Sequence, residues 1–296
     1  MAKYEKLFYI NEREESIEFS NRSMFHTNGA TGISDVRNAI YSINSMGQDG
    51  DTYLGNRIEA RDIEITGSIA TKDKEEMRVM RRRLNHVLNP QFNARLLYQW
   101  GDFVRVIDCK VDNAPVFPAK ESIFQSFTIQ LRCMNPFWRE ENEMREDIAS
   151  WDSGFEFILP DGLEIPNDGT WEIGSRQPSL IMNVYNGGDV RSGMRIEFRA
   201  IGNVSQPELL NVDTQGYLKI KMELQAGDVL TVRTGYGEKA VTLLRGGEET
   251  NAFRYFDTEG EFLQLEVGDN LFRYDAASGI DNLEVSIYHN NIYLGV

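Results

Sequence analysis

The chain has 296 residues, 41% of them hydrophobic and 11% aromatic, which is enough apolar material for packed cores and too much for general disorder. Its formal charge of −15 repels phosphate backbones and anionic membrane surfaces, so neither nucleic acid nor a membrane is an expected partner. The charge is also uneven: basic and acidic residues balance at 18 each through Trp138, whereas the remainder carries 13 basic and 28 acidic residues and supplies the whole excess.

The opening MAKYEKLFYINEREE has a four-residue apolar run followed by charges, so no signal peptide is expected. No apolar stretch of 18 residues exists to insert in a bilayer. A first strand is expected over Lys6–Ile10 and a second over Ile17–Phe19. From Asn21 to Asp51 apolar residues are scattered among Gly and Ser, ending in MGQDGD (Met46–Asp51), which reads as a loop tip containing Gln48 and Asp49. RIEARDIEITGSI (Arg57–Ile69) reads as one long strand with a kink at Gly67.

One helix is expected, over about 72–88. Thr71 is the candidate N-cap, and Asp73, Glu75 and Glu76 lie in the first turn, where the helix dipole favours anions. Met77, Met80, Leu84, Val87 and Leu88 recur at helical spacing and form one apolar stripe, and Asn89-Pro90 stops the helix. Arg81, Arg82 and Arg83 form a basic run in its second half; with acidic residues one turn earlier, a solvated or subunit-contacting face is the expected role, ahead of phosphate binding. Strands resume at Ala94–Gln99 and Val104–Val111, with Trp100 assigned to the core. Cys109 and Cys133, the two cysteines, are expected as reduced core residues on neighbouring strands.

Phe124–Cys133 alternates Phe127, Ile129 and Leu131 with polar residues, the period-2 pattern of a half-buried strand. Asn135-Pro136 breaks it, because proline has no N–H for the ladder and holds its predecessor extended. Phe137, Trp138 and a charged run follow, as at a joint between two modules, 1–138 and 139–296. The second module shows short apolar runs separated by turn residues every eight to twelve positions, with strands expected at Phe155–Leu159, Thr170–Ile173, Phe253–Phe256, Glu261–Glu266 and Ile292–Leu294 among others, the mark of an antiparallel sandwich or jelly roll. The expected fold is therefore mainly β with one helix: a β-rich α+β module, then an antiparallel β-sandwich.

No chemistry is visible. His26, His86 and His289 are isolated from one another and from the cysteines, so no metal site is expected and no cofactor is implied. The chain contains no G-x-S-x-G, P-loop or G-x-G-x-x-G motif. Carboxylates abound, but a glycosidase pair needs a pocket that composition cannot show. Trp151 and Trp171, early in the second module, are either packing residues or aromatic platforms for sugar rings.

Several stretches, taken in order, resemble the distal tail proteins of long-tailed siphophages. They are LNHVLNPQFNARLLYQWGD (Leu84–Asp102), the joint RCMNPFWRE, LQAGDVLTVRTGYGEKAVTL (Leu224–Leu243), FLQLEVGDNLFRYDA (Phe262–Ala276) and the aromatic-rich end VSIYHNNIYLGV. The repeated Gly-Asp before an apolar strand, at Gly227-Asp228 and Gly268-Asp269, has a physical sense: glycine at positive φ and aspartate capping the turn. The resemblance implies a non-enzymatic structural hub at the virion tail tip, assembled in the host cytoplasm. It implies an N-terminal domain forming a homo-hexamer ring, a galectin-like C-terminal sandwich, and a join between the tail-tube protein and a tail-associated lysin or receptor-binding protein. Arg81, Arg82, Arg83, Gln48 and Asp49 are then candidate subunit contacts. The competing reading is a virion carbohydrate-binding adhesion module using Trp151 or Trp171; a wall-degrading enzyme is a third.

Overall fold

The computed structural model describes residues 5–118, 123–147, 151–152, 175–176 and 181–296. Two compact units emerge: residues 1–141 with 292–296, and residues 142–291. In unit 1 the alternation of buried and exposed positions follows the strand period over Glu5–Asn11, Ser16–Phe19, Ala94–Trp100 and Phe124–Cys133. Its strands are β1 (Glu5–Asn11), β2 (Ser16–Phe19), β3 (Phe25–Thr31), β4 (Asn38–Ile43), β5 (Thr52–Ile58) and β6 (Arg61–Ala70). After helix α1 (Lys74–Val87) come β7 (Ala94–Trp100), β8 (Phe103–Val116), β9 (Phe124–Cys133) and β10 (Trp138–Arg139).

Seven of these strands close on themselves in the order β8-β7-β1-β2-β3-β6-β9, because the 14-residue β8 pairs with β7 on one side and β9 on the other. The barrel interior is filled by the alternating apolar residues, among them Leu7, Tyr9, Ile17, Phe19, Ile63, Ile65, Leu96, Phe127, Ile129 and Leu131. Cys109 and Cys133 are free and buried on the paired strands β8 and β9. Helix α1 presents Met77, Leu84 and Val87 to this core and packs on β2, β6 and β8, no two of which pair with each other. It therefore closes the barrel rather than extending its wall.

Several local expectations need correction. The N-cap is Asp73, not Thr71: its Oδ1 accepts from Glu76 N at 2.9 Å, while the Thr71 hydroxyl donates to Asp73 O at 3.0 Å. Arg57–Ile69 is two strands, broken at Glu59-Ala60, because β5 pairs with β4 and β6 with β3 and β9. Gly67 causes no kink; β6 runs straight through it, and the irregularity lies opposite, between Thr27 and Gly29. Glycine stands there because a Cβ would sit 2.4 Å from His26 O and 2.5 Å from Phe127 Cζ. Trp100 lies at the end of β7 with 55% of its surface exposed, outside the core.

Arg61 organises the seam of unit 1. It is buried, and its Nε donates to Pro136 O at 2.8 Å. Nη1 donates to Gly32 O at 2.8 Å and Ile33 O at 2.7 Å, and Nη2 to Leu294 O. The Ile33 carbonyl also accepts from Trp138 Nε1 at 2.9 Å. Burial holds the guanidinium pKa below its usual value.

Unit 2 comprises β11 (Met144–Asp147), β12 (Trp151–Asp152), β13 (Ser175–Arg176), β14 (Ile181–Asn186), β15 (Met194–Ala200), β16 (Val204–Asn211) and β17 (Tyr217–Lys219). Then follow β18 (Glu223–Leu224), β19 (Val229–Arg233), β20 (Ala240–Arg245), β21 (Glu248–Asn251), β22 (Gly268–Ser278) and β23 (Leu283–His289). One sheet runs β11-β23-β15-β19-β20-β21, a second runs β14-β22-β16-β17 with β18 also on β16, and β12 pairs with β13 alone. Ile196 and Phe198 from the first and Val184, Leu209 and Phe272 from the second share one core, so this is an antiparallel sandwich. The expected strands at Phe155–Leu159 and Thr170–Ile173 lie outside the described residues. Phe253–Phe256 is a short 3-10 turn, Phe253–Tyr255, not a strand. Glu261–Glu266 keeps only the bridge Ser192↔Leu265.

The Gly227-Asp228 turn has the expected chemistry. Gly227 has φ +90°, and buried Asp228 accepts from Gln225 N at 2.7 Å. Asp228 also holds Arg245, whose Nε lies 3.0 Å from both carboxylate oxygens. At the second turn Gly268 again has positive φ, but Asn270, not Asp269, caps it, accepting from Glu266 N at 2.9 Å.

The chain returns to unit 1 at β24 (Ile292–Tyr293), which pairs with β10, and β10 in turn lies on β8. Ser34 Oγ donates to Val296 O at 2.7 Å, and Tyr293 OH to Glu140 Oε1 at 2.9 Å. Ile292–Val296, which the linear division assigns to the second module, thus belongs with the first.

Four outcomes are expected. Gly67→Ala forces Phe127 and the β3 backbone apart and costs about 1–3 kcal/mol in denaturant unfolding. Arg61→Met leaves the carbonyls of Gly32, Ile33, Pro136 and Leu294 without that donor and costs about 3–5 kcal/mol. Arg61→Lys recovers only part of that loss, because one ammonium does not span the guanidinium fork. The Arg245 bond holds the Asp228 carboxyl below the usual aspartate range. A carboxyl with a depressed folded pKa contributes stability above its unfolded value of about 3.9, which is lost as pH falls through the folded value. Asp228→Asn should therefore lower the thermal midpoint at pH 7 and flatten its decline below about pH 4, as a pH series of melting curves would read.

Candidate assembly surface

Reactive groups do not converge among the described residues. No three His, Cys, Asp or Glu side chains come together to hold a metal. Among the described residues no helix is long and apolar enough to cross a membrane. His26 lies on β3, His86 on α1 with its ring 3.2 Å from Glu15, and His289, buried, on β23. Burial pushes the Cys109 thiol well up, and the Cys133 thiol up to about 12, so both are poor nucleophiles. The strong ion pairs, such as Lys221–Asp257 at 2.9 Å and Arg245–Asp228, join neighbouring segments of one sandwich.

The unusual surface is a projecting arm. Strands β4 and β5 form a two-stranded sheet of their own, with no ladder to the barrel. Ile40, Tyr41, Ile43, Tyr53 and Leu54 are all exposed, and Met46 at the tip is entirely so. Ile40 and Tyr41 are adjacent in sequence, as are Tyr53 and Leu54, so apolar side chains face both sides. A lone two-stranded ribbon is marginal in water. Here side chains brace it: Ser42 Oγ donates to Asp51 Oδ2 at 2.8 Å, Tyr53 OH to Asn56 Oδ1 at 2.6 Å, and Asn56 Nδ2 to Asn38 Oδ1 at 2.9 Å. Contiguous exposed apolar surface on a rigid element marks a contact site.

Gln48 and Asp49 lie in the turn at the tip of this arm; Gln48 Nε2 donates to Thr52 Oγ1 at 3.1 Å, and Asp49 is exposed. Arg81 does not share the surface of its neighbours: its guanidinium stacks 4.4 Å from the centre of the Phe117 ring. Arg82 and Arg83 are exposed beside half-exposed Val79. Trp171 lies outside the described residues; Trp151 begins the two-residue strand β12, and its side chain is also outside them. The strands of the arm were not foreseen. The available signal was adjacent apolar pairs flanking a Gly-containing turn, a hairpin without a polar face. Trp100 and Phe103, exposed at the β7–β8 turn, were also missed as surface aromatics.

Against known proteins, residues 13–133 match the family described as phage tail protein RIFT-related domain. Residues 187–293 match the siphovirus-type tail component, C-terminal domain. No curated protein sequence matches the chain. Among solved structures, the SPP1 Dit protein, described as a paradigm of hub adsorption apparatus in Gram-positive infecting phages, is similar with a TM-score of 0.68. It is 13% identical, over 97% of this chain and 99% of that one. Chains from the phage P2 baseplate in its activated conformation are similar over the whole of both chains at 13% identity, with TM-scores of 0.56 with Ca and 0.54 with Sr. At this identity the structural likeness carries the fold, whereas the two family matches, in the expected order, span about three quarters of the chain. The chain belongs to the siphophage distal tail protein family of phage tail components.

Proposed function

We propose that the chain is the structural hub of a phage tail tip, forming a hexameric ring that joins the tail tube to the baseplate or receptor-binding apparatus. The observation that carries this reading is the β4–β5 arm, which exposes apolar side chains on both faces and forms no ladder with another strand among the described residues. Such an arm is built to be covered. A ring in which each subunit uses two different surfaces covers it repeatedly and closes by rotation. The near-neutral N-terminal half suits a crowded ring, since like charge does not accumulate as copies are added. The acidic second half keeps the particle soluble and favours basic docking partners, such as a receptor-binding protein or tail lysin. The role is scaffolding, without catalytic turnover, at the virion tail tip after assembly in the host cytoplasm.

Negative-stain microscopy with light scattering on the purified full chain tests this reading. Six-fold rings with about six times the 33.9 kDa monomer mass are expected; a monomer at all concentrations and with tail-tube protein added would count against it. Replacing arm residues should separate assembly from folding. Ile40→Asp with Leu54→Asp is expected to release monomers, weakening association by about 30-fold or more. Because both side chains are exposed in the lone chain, the thermal midpoint should stay within a few degrees of the parent.

A further inference from the structure

The arm has an acidic, apolar tip, and the same unit carries a basic, apolar helix face. At the tip, Met46 is fully exposed and Asp49 and Asp51 are exposed with it; Asp51 is engaged by Ser42 within the arm, and among the described residues no ion pair reaches Asp49. On α1, Val79, Arg82 and Arg83 stand at i, i+3 and i+4 and so share one outward face. The neighbouring pair Arg78–Glu75, 3.4 Å apart, neutralises itself, whereas no ion pair reaches Arg82 or Arg83 among the described residues. A helix face with two uncompensated cations around an exposed valine has the chemistry that a tip with a methionine and two carboxylates complements.

These two surfaces do not meet within one chain. The helix packs on β2, β6 and β8, and the tip stands clear in solvent. We infer that the arm tip of one subunit, through Met46, Asp49 and Asp51, docks on the Val79–Arg82–Arg83 face of α1 in a neighbouring copy of this chain. The inference rests on the ring reading and adds the acceptor to it. Its occupant is a second copy because donor and acceptor lie on the same unit and their charges cancel there. The contact is heterologous, each subunit offering a tip to one neighbour and a helix to the other. Partly exposed charges supply register and rate, and bring salt sensitivity with them.

Charge reversal gives a decisive test. Asp49→Arg/Asp51→Arg should weaken ring formation at least tenfold, and so should Arg82→Glu/Arg83→Glu. Like charges then face each other, while both surfaces remain exposed in the monomer and leave its melting curve in place. A chain carrying all four changes should form rings again. An equimolar mixture of the two singly reversed proteins should also recover them, because alternating subunits restore opposite charge at every contact. Rings of parental stability in either reversed protein would overturn the inference while leaving the ring reading intact. Failure of both the four-change chain and the mixture, with folded subunits, would overturn it equally. A wild type that forms no rings would overturn both.

Discussion

The side chain of Arg61 fixes how unit 1 is tied together. A buried guanidinium without a carboxylate partner is costly unless its N–H groups are met by strong acceptors. Here backbone carbonyls serve, from Gly32, Ile33, Pro136 and Leu294. These come from three separated parts of the chain: the segment leading into the arm, the proline before the exit to unit 2, and the returning C-terminal tail. Because the acceptors are carbonyls, the bonds hold backbone directly, whatever side chains those positions carry. The exit strand β10 and return strand β24 are then paired with each other, so an insertion of 150 residues begins and ends at neighbouring points of one barrel.

Trp138 adds shape to that anchor. It is fully buried, shares the Ile33 carbonyl with Arg61, and meets Tyr98 edge-on with ring centres 6.4 Å apart. Arg105 continues the seam outward, 4.0 Å over the Tyr293 ring and paired with Glu140 at 3.8 Å. Each contact alone is modest. Together they hold residues 292–296 against the barrel.

What the sequence disclosed follows from where each signal is local. The alternation of Phe127, Ile129 and Leu131 and the helical stripe of Met77, Leu84 and Val87 were legible because burial imposes one periodic face on each. The break between β5 and β6 was not, since Ile58 and Ile63 continue an apolar pattern across a change of partner strand. The C-terminal tail was illegible for a related reason: Ile292-Tyr293 looks like one more sandwich strand, and its partners lie far off in sequence, among them β10 and Arg61, which is 233 positions from Leu294. The arm escaped because a ribbon with no buried face has no alternation to read. Turn chemistry still marked Gln48 and Asp49 at its tip, and charge marked Arg82 and Arg83. The pairing proposed for them rests on α1's packing, which leaves Arg82 and Arg83 exposed and turns Arg81 to Phe117.

An exposed arm is a hazard as well as a device. Both edges of the β4–β5 ribbon are open, and open edges with apolar flanks invite indiscriminate pairing. Two features restrain it. The ribbon is short and braced by polar side chains on its own surface, so in the proposed assembly it is ordered in advance and loses less conformational freedom on docking. Its attachment is also stiff: Arg37, just before β4, lies 3.6 Å from Asp62 on β6, and Glu59 N donates to Arg37 O at 2.9 Å. A head-to-tail contact closes into a ring only if each added subunit turns by a constant angle, and otherwise runs on as a filament. In the proposed assembly that angle is set by the direction of the arm relative to α1, both of which are rooted in the same barrel. The Arg61 cluster clamps Gly32 and Ile33 at the arm's approach, and in that proposed assembly the clamp holds the angle constant from copy to copy.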